Sequence, residues 1–595
     1  MSDPDNYRGI TLLNIIGKLF TALINRRLKI FLESNKLLGN EQAGFRAGFS
    51  TMDHIFTLHM LIELYKSRSK KLWCAFVDYK KAFDLVDRTA LWRKVIGIGV
   101  KGRVIQAVIN MYGKAKSCVK VNGKLSDEFI CNMGVRQGEN LSPLLFAIFL
   151  NDFSAFMATK FDGLSELAQE CRDVMNSDED AEFDALLKLF VLLYADDTII
   201  LADSHEALQS ALDGLSEYCE QWKLTVNTDK TKVVVFSRGH NRLRPVFLYR
   251  HTPLQIVKSY VYLGVEFHCT GKLVYAMAKQ ISQASRAMNA LLVKAKLLGL
   301  SVDLLLDVYG KTVLPVLFYG CEVWGAADLE QAEVFHRKFL RRALEVGKVT
   351  QNVFVYGETG ATSIKQFVVS RMVSYWFSLV QGDPSRISAE VYRLALRKHM
   401  DPTDNFRSVW MQRLEDSLVE LGLGHVWDDK GIGYNAIAIK ASIHKRSSAL
   451  FDAKWQRDRR TDRHGTYQLY QRIKPTRGLS SYLVDLGYFE RRAISRFFCR
   501  CNRLPISDFR RYRYEFFVPE CPLCGDERGD ELHYIFRCPA FEQRREAIGI
   551  NATRLDGDEE MRLVGLTSEE NTVELARFAR FLHLILRVLD SPPPP

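Results

Sequence analysis

The sequence predicts a mixed α+β chain of several domains, and three patterns carry that prediction. Residues 14 to 34 and 52 to 66 place apolar side chains at helical spacing. Residues 72 to 77 form a short continuous apolar run, and residues 192 to 201 read as two apolar runs joined by a polar pair. The first pattern buries one stripe of a helix, whereas the others suit a buried strand and a tight β-hairpin. From 275 to 450 the helical spacing is almost continuous, with breaks at Pro315, Gly382 and Pro402, residue types that end helices. At roughly 150 residues per domain, a chain of 595 residues holds about four domains.

Composition narrows the class. Apolar residues make up 47% and charged residues 26%, ordinary globular usage that excludes whole-chain disorder, collagen-like repeats and coiled-coil arrays. No apolar run reaches the 18 or so residues that span a bilayer. The opening Met1-Ser2-Asp3-Pro4-Asp5 is polar and acidic, unlike a signal peptide. Twelve cysteines are scattered, most of them in apolar surroundings such as those of Cys74 and Cys118, which suits free thiols in a reducing compartment.

The formal charge of +12 is unevenly placed. Residues 441 to 515 hold 18 Lys+Arg against 7 Asp+Glu, a net of +11. Aromatics are interleaved there, including Trp455, Tyr467, Tyr470, Tyr482, Phe497 and Tyr512. Such a mixture pairs with phosphates and stacks on bases, or forms a solvated helical face with a few core rings. In residues 335 to 342, Phe335 and Phe339 should face a core and the basic side chains solvent. Residues 161 to 187 hold nine Asp+Glu and one Arg, an exposed acidic insertion that repels nucleic acid.

Three carboxylates stand out. Asp78 ends the strand-like run that starts at Cys74, and Asp196 and Asp197 sit at the tip of the expected hairpin. Adjacent carboxylates repel, and apolar flanks make their desolvation worse. A pair of Mg²⁺ ions would resolve both problems, activate a 3′-hydroxyl and stabilise a leaving pyrophosphate. A turn that merely tolerates Asp-Asp remains the alternative on the hairpin alone.

The order of motifs adds to this. Asn6 to Leu13 looks like a first fingers motif, and Glu41-Gln42-Ala43-Gly44-Phe45-Arg46 with Ala47 to Thr51 looks like a second. Phe76 to Asp84 is similar to motif A, Gly134 to Phe146 to motif B, and Tyr194-Ala195-Asp196-Asp197 to motif C. Asn227 to Thr231 looks like motif D and Tyr262-Leu263-Gly264 like the primer grip. Seven motifs in this order resemble the reverse transcriptase of a non-LTR (LINE-type) retrotransposon, in the C-terminal part of its second open reading frame product. Tyr319 to Gly325 resembles the thumb of these enzymes.

The resemblance implies an α+β right-hand polymerase. Fingers and palm would occupy residues 1–268, a helical thumb 269–400 and a basic, nucleic-acid-binding helical connector 401–515. A zinc motif would follow over 516–545, then a C-terminal helix and disordered tail over 546–595. Asp78 and Asp196 would be the principal ligands of two Mg²⁺ ions, with Asp197 supporting. Phe83 would block a ribose 2′-hydroxyl, and Gln137 and Gly138 would contact nucleotide and template. Arg46 would grip the triphosphate; Arg8 is a second candidate, or simply an exposed residue beside a fingers strand. Lys230, or Lys232 beside it, would protonate the leaving pyrophosphate, and Tyr262, Leu263 and Gly264 would hold the primer. The implied partners are an RNA template, a DNA primer at a nicked target and dNTPs, with no membrane. The implied setting is a cytoplasmic ribonucleoprotein and the nucleus. The family's upstream endonuclease is not encoded here, so a truncated copy served by an endonuclease in trans is expected. An intron-maturase-type polymerase and a non-enzymatic RNA-binding remnant are the rival readings.

Cys521, Cys524, His533 and Cys538 follow the spacing Cys-x₂-Cys-x₈-His-x₄-Cys. Three thiolates and one imidazole make a tetrahedral set for one structural Zn²⁺. Cys499 and Cys501 lie outside the pattern and read as packed thiols, with a role as alternate ligands the other reading.

Overall fold

The computed structural model describes residues 9–113, 115–161, 164, 191–239, 245–460, 468–499, 520–550, 558–568 and 572–590. Arg8, Tyr467, Cys501, Tyr512, nearly all of the acidic stretch and the proline tail lie outside them. The chain divides into two compact units. The first comprises Met1–Ala276, Glu322–Ala327 and Tyr375–Gly433; the second comprises Met277–Cys321, Asp328–Ser374 and Tyr434–Pro595. Among the described residues no helix is long and apolar enough to cross a membrane.

The first unit is built on a six-stranded sheet. Its strands are β1 (Leu72–Val77), β6 (Val191–Tyr194), β7 (Asp197–Ala202), β8 (Lys232–Phe236), β9 (Phe247–Tyr249) and β10 (Thr252–Ile256), in the order β6-β7-β1-β8-β10-β9. Two small exposed ribbons pair β2 (Lys116–Ser117) with β5 (Phe129–Ile130) and β3 (Lys120–Val121) with β4 (Lys124–Leu125). A separate hairpin joins β11 (Ser259–Tyr262) to β12 (Val265–His268). The apolar run at 72 to 77 is the central strand, buried at every position and antiparallel to both β7 and β8.

The two faces of the sheet differ. Trp73, Ala75 and Val77 join Ile200, Ala202, Val233 and Val235 in a core shared with helices Arg88–Gly97, Ser142–Phe149 and His205–Trp222. On the other face Phe76 stacks on Tyr260, centroids 4.4 Å apart.

Helix Thr51–Ser67, expected from its spacing, is buried on more than one side. Phe56 packs edge-on against Tyr375 and Trp410, with centroids 5.5 and 5.0 Å away. Asp53 caps its own helix by accepting from Ser50 N at 2.7 Å, and it accepts from Ser388 Oγ at 2.8 Å and Tyr375 OH at 3.3 Å. A helix that apolar needs cover beyond the sheet, and residues 375–433 supply it. The compact units therefore do not follow the expected boundaries at 268 and 400. A segment assigned to thumb and connector packs instead on the helix of the second fingers motif.

The helical run from 275 to 450 contributes to both units and breaks where expected. Helices end at Val380 and Met400, before Gly382 and Pro402, and Pro315 opens the short helix Leu314–Leu317. Phe335 and Phe339 of helix Glu330–Ala343 are buried as the spacing predicts. Its basic side chains are less available than expected, because Arg337 pairs with Glu330 and Arg341 donates to the Thr350 carbonyl. Glu358, fully buried, accepts from Tyr470 OH at 2.7 Å and Ser480 Oγ at 2.9 Å.

Each unit contains a buried neutral histidine. Burial lowers His54 from 6.5 to about 3 and His336 from 6.5 to about 4. Protons then bind the unfolded chain preferentially below pH 6.5. Stability should be complete above about pH 6.5 and fall as the pH drops toward 4, by at most about 1.4 kcal/mol per pH unit for each histidine. Urea unfolding at pH 7.5, 6 and 5 measures this. His54→Gln, which cannot titrate, should flatten the first unit's share of the loss.

Candidate functional site

The acidic hairpin forms as its sequence predicts. Tyr194 pairs with Asp197 across a two-residue turn of Ala195 and Asp196, and Ala195 has φ 58°. Val77 pairs with Thr198, so one further step sets Asp78 beside Asp197 at the ends of neighbouring strands. Backbone bonds fix Asp78 from the other side. Its carbonyl accepts from Asn227 N at 2.7 Å and its N–H donates to Thr231 Oγ1 at 3.1 Å. The motif D segment thus holds the motif A carboxylate. Burial, then the carboxylates of Asp197 and Asp78, push the Tyr260 hydroxyl up to about 12. A cation held by those hard oxygen donors would relieve that negative field.

An open cleft of about 980 Å³ lies beside these carboxylates. Asp78, Phe83, Gln137, Gly138, Asp196 and Lys230 line it. Phe83 also stacks on Phe146, centroids 4.5 Å apart, so one face of the ring is core and another borders the cleft. The motif B loop is stapled to the end of motif A. Gly134 N donates to the Val86 carbonyl at 2.8 Å, and Val135 N to that of Phe83 at 2.7 Å. Thr11 N donates to the Gln137 carbonyl at 2.7 Å, bringing the first fingers motif over the loop. Helix Ser142–Phe149 then starts at Ser142-Pro143, as expected.

The structure separates the remaining expectations. Lys230 is exposed on the cleft, whereas Lys232 sits on β8 opposite Phe76 and is not part of the lining, which resolves that ambiguity in position. Asp197 is exposed and, unlike Asp196, is not part of the cleft's lining. Arg46 is not at the cleft. Its guanidinium pairs with both Glu33 carboxylate oxygens, at 3.1 and 2.9 Å, donates to Gly39 O at 2.7 Å and lies 4.3 Å over the Phe49 ring. A guanidinium so occupied organises the fingers segment, and the cleft's cationic lining comes from Lys80, Lys81, Arg136 and Lys230 instead. Leu263 and Gly264 form the turn of the β11–β12 hairpin, with φ 45° and 82°. Tyr262 is buried, its hydroxyl 3.3 Å from His54 Nδ1, and so it anchors that hairpin rather than presenting a surface.

Several supporting residues escape a motif reading. Arg88 donates to the carbonyls of Gly134, Tyr112, Cys131 and Met133 at 2.5 to 3.0 Å. Glu139, 3% exposed, accepts from Ser142 Oγ at 3.2 Å and from the Tyr112 hydroxyl. Neither stands out in the sequence: Arg88 follows Asp87, and Glu139 lies in the polar run Arg136-Gln137-Gly138-Glu139-Asn140.

In the second unit Cys521, Cys524, His533 and Cys538 converge, their ligand atoms all within 4.8 Å of one another. Cys521 and Cys538 sulfurs are 3.9 Å apart, and Cys524 Sγ is 3.3 Å from His533 Nε2. Two thiolates at ~2.3 Å from a tetrahedral zinc would be about 3.8 Å apart. His533 Nδ1 faces the Asp526 carboxylate at 3.4 Å, which turns Nε2 toward the sulfurs. Burial, and the Cys521 sulfur behind it, push the Cys538 thiol up to about 12. A bound cation would offset that penalty, so the cluster fits a metal. Cys499 is a buried thiol, as expected; Cys118, expected in apolar surroundings, is exposed.

The basic segment is corrected in part. Trp455, Tyr470, Tyr482 and Phe497 are buried, so these rings are core and do not stack on bases. Arg459 and Lys474 are buried and bonded internally, and Arg477 pairs with Asp452 at 2.7 Å. Lys440, Lys445, Arg446, Lys454, Arg457 and Arg460 of helix Ala436–Arg460 are exposed.

Residues 2–267 match the family of reverse transcriptases (RNA-dependent DNA polymerases). The chain is 27% identical over 347 residues to a probable RNA-directed DNA polymerase from transposon X-element of Drosophila melanogaster, covering 55% of this chain and 34% of that protein. It is 27% identical over 360 residues to the RNA-directed DNA polymerase from mobile element jockey of Drosophila funebris, covering 57% and 36%. The R2 retrotransposable-element Pol polyprotein of Popillia japonica is 23% identical over 361 residues, covering 58% and 55%. The chain spans about a third of the length of the first two. Apo telomerase from Candida tropicalis aligns at TM-score 0.29 and 13% identity over 62% of this chain and 61% of that one, a likeness too slight to bear on function.

The stapled motif B loop predicts a specific sensitivity. Gly134 has φ 78°, and a Cβ there would lie 2.4 Å from the Asp84 carbonyl oxygen. Gly123, in the exposed ribbon, has φ 83° and nothing within 4 Å. Gly123→Ala should cost about 1 kcal/mol from backbone strain alone, and Gly134→Ala about 2 to 3 kcal/mol because the clash is with backbone. Urea midpoints of the two variants test the difference.

Proposed function

We propose that this chain, whose residues 2–267 match the reverse transcriptase family, is the RNA-directed DNA polymerase of a non-LTR retrotransposon. The observation that carries the proposal is one cleft lined by Asp78 and Asp196 together with Phe83, Gln137, Gly138 and Lys230. The template is RNA, the primer a DNA 3′-end at a nicked target and the substrates dNTPs. The architecture is a right hand, with a helical thumb and a zinc-stabilised basic C-terminal region that grips nucleic acid through its exposed lysines and arginines. Free thiols at all ten described cysteines suit a reducing setting, a cytoplasmic ribonucleoprotein and then the nucleus.

Asp78 and Asp196, with Asp197 in support, would hold two Mg²⁺ ions. That pair would supply a lowered pKa at the primer 3′-hydroxyl and neutralisation of charge on the phosphates. The chain's own residues do the rest. Phe83 fills the space beside the nucleotide sugar and disfavours a 2′-hydroxyl. Gln137 and Gly138 border nucleotide and template, and Gly138 at φ 98° lets the Thr11 carbonyl pack close against the loop. The 3′-hydroxyl releases its proton to water, its oxygen bonds to the α-phosphorus as the bond to pyrophosphate breaks, and Lys230 gives a proton to that leaving group and regains one from solvent. Cys521, Cys524, His533 and Cys538 would hold one structural Zn²⁺.

Primer extension on poly(rA)/oligo(dT) with Mg²⁺ tests the reading. The wild-type chain should extend; RNA binding without extension would make it a remnant. Asp78→Asn and Asp196→Asn should each lose at least about a thousandfold in rate while keeping the wild-type urea midpoint. Phe83→Val should raise ribonucleotide relative to deoxynucleotide incorporation.

The zinc proposal has its own measurement. Freshly purified protein should contain about one zinc per chain, and Cys521→Ser should lose it together with local order around residues 520–550. Less than half a zinc per chain would remove the assignment.

A further inference from the structure

The second fingers motif runs beside the acidic hairpin. Ala43 N donates to the Leu193 carbonyl at 3.0 Å, and Leu193 N donates to that of Glu41 at 2.9 Å. Gln42 and Leu193 thus form an isolated parallel bridge, a short extra edge on β6. This edge ends at the turn that presents Asp196.

Gln42 closes the arrangement. Its side chain is 1% exposed, and its Oε1 accepts from Ala195 N at 3.2 Å and from Gly44 N at 2.9 Å. Both neighbours are backbone donors, so the oxygen must face them, and Nε2 has no hydrogen-bond partner. The side chain is therefore held for its acceptor. Ala195 is the left-handed residue of the turn, with φ 58°, a conformation an alanine does not favour. Gly44 completes the fit, since a Cβ there would lie 2.4 Å from Ala195 N.

We propose that Gln42 is a positioning residue for the candidate catalytic centre: its amide oxygen holds the Ala195-Asp196 turn in its left-handed form and so aims Asp196. A neutral acceptor does this without adding a third negative charge beside Asp196 and Asp197. The assignment deepens the polymerase reading and rests on it for its catalytic meaning. The geometric link stands by itself. Removing the oxygen leaves two buried N–H groups unpaired, a penalty the turn escapes by rotating away. A displacement of even 1 Å at a reacting centre is enough to lower rates by about a hundredfold.

Full-length Gln42→Met keeps length and volume but removes the acceptor; Gln42→Glu restores an acceptor for both amides. Three readouts apply: amide hydrogen exchange at Ala195, Mn²⁺ binding without nucleic acid followed by electron paramagnetic resonance, and kcat against KM in primer extension. For Gln42→Met, Ala195 exchange should quicken about tenfold or more, half-saturating Mn²⁺ should rise about threefold or more, and kcat should fall about tenfold or more with KM little changed. Gln42→Glu should return Ala195 exchange to within about threefold of wild type. Unchanged exchange and Mn²⁺ binding in folded Gln42→Met would overturn the proposal. Should that variant not fold, rapid Ala195 exchange in Gln42→Glu overturns it instead. A wild-type chain that binds Mn²⁺ and shows the exchange pattern but extends no primer defeats the polymerase reading and leaves the positioning role intact.

Discussion

The register of β1 against β7 is the constraint on which the site depends. Val77 lies opposite Thr198, and from that pairing Asp78 and Asp197 fall at neighbouring strand ends. Side chains alternate along a strand, so a slip of one residue would move Asp78 to the helix-covered face and bring Val77 to the cleft side. The hydrophobic pattern forbids that slip. Trp73, Ala75 and Val77 belong to the helix-covered core, whereas Phe76 needs Tyr260. The packing that stabilises the sheet is thus the same packing that sets carboxylate against carboxylate.

That arrangement has an electrostatic price. Carboxylates gathered at strand ends repel, and the rise of the Tyr260 hydroxyl records part of the field. Hydrogen bonds restrain the backbone around them. Asn227 and Thr231 hold Asp78, Gln42 holds the turn at Ala195, and Arg88 with Gly134 holds the neighbouring loop. None of these adds a positive side chain against the carboxylates. The negative field stays available to a cation.

Much of this was legible in sequence. The central strand at 72 to 77, the hairpin at 192 to 201 and helix Thr51–Ser67 follow from period and run length, and the positions of Asp78, Asp196, Phe83 and Lys230 follow from motif order. Arg46 was not legible. Arginine before a cleft suggests phosphate, but the partner that claims it, Glu33, lies 13 residues away on a helix with no sequence mark for the pair. The unit boundary was hidden for a similar reason. Periodicity shows that helix Thr51–Ser67 has an apolar face; it does not show that Phe56 meets Tyr375 and Trp410, more than 300 positions on.

The basic segment shows how charge counting overstates an interface. A net of +11 over residues 441 to 515 reads as a phosphate-binding surface, yet folding consumes part of it. Arg459 and Lys474 are bonded inside, Arg477 is paired, and Trp455, Tyr470 and Tyr482 form the core around Glu358. Thr359 and Leu479 also form a backbone bridge, so this segment and the helix Asn352–Thr359 fold as one body. Removing the segment would leave Glu358 buried without its donors, an expensive state. The nucleic-acid grip proposed for it is therefore testable only by changing exposed charges such as Lys445 and Lys454 one at a time, because those side chains carry field without carrying the fold.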